Sequence, residues 1–162
     1  MVEEILVGPE TLIEGLQGVV REYVEQQRPF TLVMLIPTEP SATDTKYTLV
    51  ISASWLDNMS PRQAVNEILE SLIRQIGSSE SPEFEKVARV TVIKTKDPFV
   101  RTITSVFEVT DARVMIENCE FHGVLVERAI VLESHRLSEP VTTRQGHGGC
   151  RSQSAKNNNR QR

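Results

Sequence analysis

Two stretches of the chain repeat apolar residues at helical spacing. Leu12, Ile13, Leu16, Val19, Val20, Tyr23 and Val24 recur at steps of three and four, and Glu10, Glu14, Arg21, Glu22 and Glu25 lie off that stripe. Pro9 suits the first helical position, where its missing N–H would be unbonded in any case. Arg28-Pro29 stops the pattern, because proline disfavours helical backbone at the residue before it. The second stripe is Val65, Ile68, Leu69, Leu72, Ile73 and Ile76. Ser60-Pro61-Arg62-Gln63 ahead of it has the form of a capping box, Met59 stands where it could staple the entry, and Gly77 is a natural residue past the last turn. The pattern predicts a helix over Pro61 to Ile76.

Between and after the helices the period changes. Phe30 to Ile36 is almost continuously apolar and reads as a central strand. Tyr47, Leu49, Ile51, Ala53 and Trp55 alternate with Thr48, Val50, Ser52 and Ser54, which marks a strand with one apolar face. Four more strands are expected at Lys86–Lys96, Phe99–Val109, Arg113–Cys119 and Val124–Ser134, with turns at Asp97-Pro98, Thr110-Asp111 and Glu120 to Gly123. Such short connections call for antiparallel neighbours. A short extra strand over Glu3 to Val7 is also expected. The resulting fold class is α+β: a two-layer sandwich with a mainly antiparallel sheet of about six strands and two helices on one face.

Residues 1–137 read as a single domain and 138–162 as a disordered polar tail. From Ser138 onward Val141 is the only large aliphatic residue, and Gly146-His147-Gly148-Gly149 and Asn157-Asn158-Asn159 follow. Charge divides at the same boundary. The chain carries −4 in total; the tail holds Arg144, Arg151, Lys156, Arg160 and Arg162 against Glu139, so the body is strongly acidic. An acidic body argues against a domain whose main work is gripping phosphates. No apolar run approaches the roughly 18–20 residues of a membrane span. The acidic start, Met1-Val2-Glu3-Glu4, has no signal-peptide character. Two cysteines are too few for a disulfide scaffold. A soluble cytoplasmic protein with reduced thiols, no membrane association and no cofactor is the expectation.

The candidate chemistry concentrates in two places. Cys119-x-x-His122 is mirrored by His147-x-x-Cys150, and two sulfurs with two imidazoles would complete a tetrahedral structural zinc shell. The competing reading is a half-buried Cys119, a surface His122 and an incidental tail. Cys119 and His122 could also form a thiolate pair, with Glu120 or Asn118 as orienting group. The second place is the turn Trp55 to Ser60, where Asp57, Asn58 and Ser60 end a strand beside a helix N-terminus, a common position for a ligand pocket. These are also capping residues, and Asp57 would repel a phosphate, so capping is the favoured reading. Glu108, Glu117 and Glu127 lie among Arg89, Arg101, Arg113 and Arg128 and read as charge pairs on a solvated sheet. Aromatic residues make up 5% of the chain and none is interleaved with those arginines, so base-stacking platforms are missing. The sequence contains no G-x-S-x-G, H-E-x-x-H, Walker loop or dinucleotide fingerprint.

Function is expected to be that of a non-catalytic interaction or regulatory module that self-associates through its sheet, as a homodimer or higher oligomer or with another protein. The strands carry apolar residues at both parities, and helices on one side would leave the other face needing cover. The alternatives are a small hydrolase or transferase with its site near Asp57 or the Cys119–His122 turn, and a nucleic-acid accessory protein using its basic tail.

Overall fold

The computed structural model describes residues 10–38, 46–77, 82–136 and 151–152. Helix α1 (Glu10–Glu25) buries Leu12, Ile13, Leu16, Val19, Val20 and Tyr23, as its stripe requires. Its end is closed by backbone: Gln27 takes a φ of 64°, and the Gln27 and Arg28 N–H groups donate to the Val24 and Tyr23 carbonyls at 2.9 and 2.8 Å. This is a Schellman closure with glutamine in the place that glycine usually holds. Helix α2 (Pro61–Ile76) has the expected capping box, in which Ser60 Oγ accepts from the Gln63 N–H and Gln63 Oε1 from the Ser60 N–H, both at 3.2 Å. Gly77, at φ 107°, ends it. The two helices approach closely at Gly15, where a Cβ would stand 3.1 Å from Ile76 Cγ1.

The sheet is mixed. Strands β1 (Leu32–Pro37), β2 (Tyr47–Ser52), β3 (Val87–Val92), β4 (Val114–Phe121) and β5 (Val124–Ser134) lie in the order β3-β2-β1-β5-β4. The pairs β1–β2, β1–β5 and β4–β5 are antiparallel, whereas β2–β3 is parallel. The parallel pair arises because α2 lies between its strands in sequence, and a helical crossover can return the chain in the same direction. A two-residue strand β6 (Arg151–Ser152) pairs with Glu117 and Ile116 at the β4 edge. It falls within the segment expected to be disordered. The expected strand at Glu3 to Val7 lies outside the described residues.

One predicted strand is a helix. Phe99 to Val109 was expected to be extended, but Pro98–Val106 forms α3. Asp97 accepts from the Phe99 N–H at 2.8 Å as N-cap, and Pro98 takes the first helical position, so Asp97-Pro98 is a helix start and not a turn. Val100, Ile103 and Thr104 are buried at helical spacing. The run is rich in β-branched residues, which favour strands locally; burial of one helical face overrides that preference.

This changes the layering. The chain leaves β3 at one edge of the sheet and enters β4 near the other, and α3 lies on that traverse. Val100 and Ile103 pack with Leu32, Met34, Val50, Ile116, Phe121, Ala129 and Val131. On the opposite face, α1 and α2 cover Val33, Leu35, Leu49, Ile51, Ile130 and Leu132. Successive residues of β1 thus enter alternate cores, as a pleated strand dictates. The helices occupy both faces, not one, which explains the apolar residues at both parities.

The β4–β5 hairpin adds a second reason. Ile116 and Cys119 both enter the α3-side core, as do Val126 and Ala129 across from them, so each strand changes parity between those residues. Asn118, at φ 54°, sits at the change. The hairpin closes through His122 and Gly123 at φ 52° and 82°, the signature of a type I′ turn.

Candidate functional site

Asp57 follows a 3-10 turn, Ser54–Leu56, that ends the β2 segment. Its carboxylate accepts from the Thr95 N–H at 3.0 Å and from Thr95 Oγ1 at 2.5 Å, and its carbonyl accepts from Lys94 Nζ at 2.8 Å. Thr95 is buried. Asp57 therefore ties the entry of α2 to the segment that leaves β3. Ser60 is committed to the capping box, and Asn58 is exposed on the turn between them. The three residues share one turn, but their polar atoms do not converge on a common point: Asp57 faces inward to Thr95 and Ser60 faces its helix. A hollow of about 170 Å³ lies instead on the α1–α2 seam, lined by Thr11, Glu14, Gly15, Gln75 and Ile76.

Cys119 and His122 are three residues apart but differ in setting. His122 is exposed in the turn, whereas Cys119 is fully buried and disulfide-bonded. A sulfur in a disulfide is neither a thiolate ligand nor a nucleophile, so the zinc and catalytic roles both require its reduction. The bond also runs against the expectation of reduced thiols, which is how cytoplasmic proteins keep such sulfurs. His147 and Cys150 lie outside the described residues. Among the described residues no group of three His, Cys, Asp or Glu side chains is placed to hold a metal ion.

Two features were not visible in the sequence. The first is a polar cluster where α3 hands the chain on toward β4. His135 Nε2 lies 2.7 Å from Glu133 Oε1 and its Nδ1 lies 2.8 Å from Glu108 Oε2, while Glu133 Oε2 accepts from the Asp111 N–H at 2.7 Å. Glu133 is buried and Glu108 exposed. Burial is the largest single influence on His135 and opposes its charge, but the bonds to Glu108 and Glu133 together outweigh it and raise its pKa above the ordinary 6.5. Glu133 and His135 are two apart on an extended segment, a usable signal; Glu108 joins them only once α3 is known.

The second is a gap in the cover that the described residues give the sheet. The core beneath α1 and α2 draws on β1, β2, β3 and the far end of β5, but contains no β4 residue. Met115 is the register partner of Ile130, so it stands on the α1–α2 face, and Glu117 and Arg128 are partners two residues along. Leu125, beside the inward Val126, faces the same way and partners Glu120. Met115 and Leu125 are 38% and 61% exposed, two of the five exposed large apolar side chains among the described residues.

No protein-family model matches the chain, and no curated protein or solved structure matches it either. No helix among the described residues is long and apolar enough to cross a membrane.

Proposed function

We propose that this protein is a non-catalytic interaction module that self-associates through the β4–β5 part of its sheet. The observation that carries the reading is the uncovered strip on the α1–α2 face: Met115 and Leu125 exposed, with Glu117, Glu120 and Arg128 beside them. The expected second face without helices does not carry the reading, because α3 covers it. What is left is a smaller patch on the first face. It carries both charge signs next to apolar groups, so a second copy turned about a twofold axis can set Arg128 against a carboxylate and Leu125 against Met115.

The commitment of Asp57 to Thr95 and of Ser60 to Gln63 supports a module over an enzyme, since both side chains have structural partners where a substrate would need them. Sedimentation analysis of the intact chain tests the proposal. The wild type should dimerise at micromolar concentration, and the Leu125→Asp variant should raise the dissociation constant at least tenfold, about 1.4 kcal/mol, with an unchanged circular dichroism spectrum. A wild type that is monomeric at those concentrations would refute it.

A further inference from the structure

His135 is held between two carboxylates, one at each ring nitrogen, at 2.7 and 2.8 Å. A neutral imidazole has one N–H and one lone pair, so it can donate to only one of them; the other contact would set lone pair against lone pair. With both carboxylates ionised, the two contacts together require the imidazolium. The two carboxylates belong to different parts of the chain. Glu133 is on β5 and is buried, and Glu108 belongs to the connection after α3 and is exposed. The same corner holds the paired amides of Val109 and Ser134, whose N–H groups donate to each other's carbonyls at 2.9 and 3.0 Å, and the Ser134 hydroxyl, which donates to the Phe107 carbonyl at 2.7 Å.

We propose that His135 is a proton-operated latch that holds the α3–β4 connection against the end of β5 while it is charged and releases Glu108 when it loses its proton. Glu133 keeps its hydrogen bond from the Asp111 amide in both states, so it is the fixed half of the clamp and Glu108 the moving half. The other charged groups described at this corner are consistent with that division. Arg136 donates to the Ser105 carbonyl at the end of α3, and the Asp111 carboxylate lies 3.6 Å from Arg21 of α1, so neither is bonded to the imidazole. A raised folded-state pKa means that the latch contributes fully below the unfolded value of 6.5 and is lost as pH rises through the folded one. Opening at higher pH frees the connection that carries α3 over the sheet.

Nitrogen-resolved NMR of the His135 ring, with amide exchange read at Val109 and Ser134, tests the latch in the intact chain. Both ring nitrogens should be protonated below the midpoint, the midpoint should lie above 6.5, and protection at Val109 and Ser134 should fall severalfold across it. Glu108→Gln, at an exposed position that should not disturb folding, should lower the midpoint and move the exchange step with it. A midpoint at or below 6.5, a single protonated nitrogen at low pH, or protection without a step would overturn the proposal.

Discussion

The two faces of the sheet are covered in different ways. On one, two helices of 16 residues each lie over the strands, and the described ends of both are closed by caps: the Gln27 closure on α1, and the capping box and Gly77 on α2. On the other, a single nine-residue helix is carried across from edge to edge. That short helix is positioned by polar ties at either end of its traverse. Asp57 holds Lys94 and Thr95 before it, and Glu133, Ser134 and His135 hold Asp111, Phe107 and Glu108 after it. A long helix buries enough apolar surface to fix its own place; a short one buries less, and directional bonds supply the positioning. Polar side chains that look like a site in sequence can therefore be the anchors of a lid.

The sharpest way to break this comparison is to truncate both covers. Ile68 of α2 and Ile103 of α3 are each fully buried. Replacing either by alanine should cost about 2–5 kcal/mol in denaturant unfolding. A loss below about 1 kcal/mol for Ile103→Ala alone would mean that α3 is loosely held and that the second face is effectively open.

Next in size is a contrast in pH. Burial first, and then the bond it donates to Glu67 at 2.8 Å, push Tyr23 up to about 12. Because the folded value is raised, the stabilisation by neutral Tyr23 is complete below the unfolded value near 10 and is lost as pH climbs toward 12. Tyr23→Phe should lower stability by about 2 kcal/mol at pH 8, the scale of a hydrogen bond to a charged group, and should flatten the decline between pH 10 and 12. An unchanged decline in this variant would place the alkaline weakness elsewhere. The α1–α2 face should thus loosen between pH 10 and 12, through Tyr23. The smallest effect concerns a cap. Gln27→Gly relieves a left-handed glutamine and should raise stability by about 0.5 kcal/mol, read as a small rise in Tm. A fall would show that the Gln27 side chain, not its backbone, holds the turn.

The same contrast separates what was legible in the sequence from what was not. Both long helices could be read because their stripes run for four turns and their caps use residues with a specific geometry, Ser60 and Gln63 above all. The third helix was missed because nine residues give barely two repeats of the apolar face, and Val100, Thr102, Ile103, Thr104 and Val106 are strand formers by local preference. From that error followed the misplaced layers and the overstated bare face. Ser60 caps α2, a role its place before Pro61 suggests, whereas Asp57 bonds Thr95 on another segment, which sequence spacing does not show. His135 escaped notice because its partner Glu108 lies 27 positions away and is brought to it by the turn after α3.

The placement of β1 at the centre of the sheet has a consequence for synthesis. β1 pairs with β2 within a short stretch, but its other neighbour is β5, and Leu32 meets Ser134 near the end of the described domain. While the chain emerges, β1, β2, α2 and β3 can assemble on the α1 side, whereas Leu32, Met34 and Val50 have nothing to pack on until α3 and the β4–β5 hairpin have followed. Sheets closed by such distant pairings fold slowly and expose apolar surface in the interval. A nascent chain stalled just before β5 would present that bare face to the ribosome's surroundings, and chaperone capture should peak at that length.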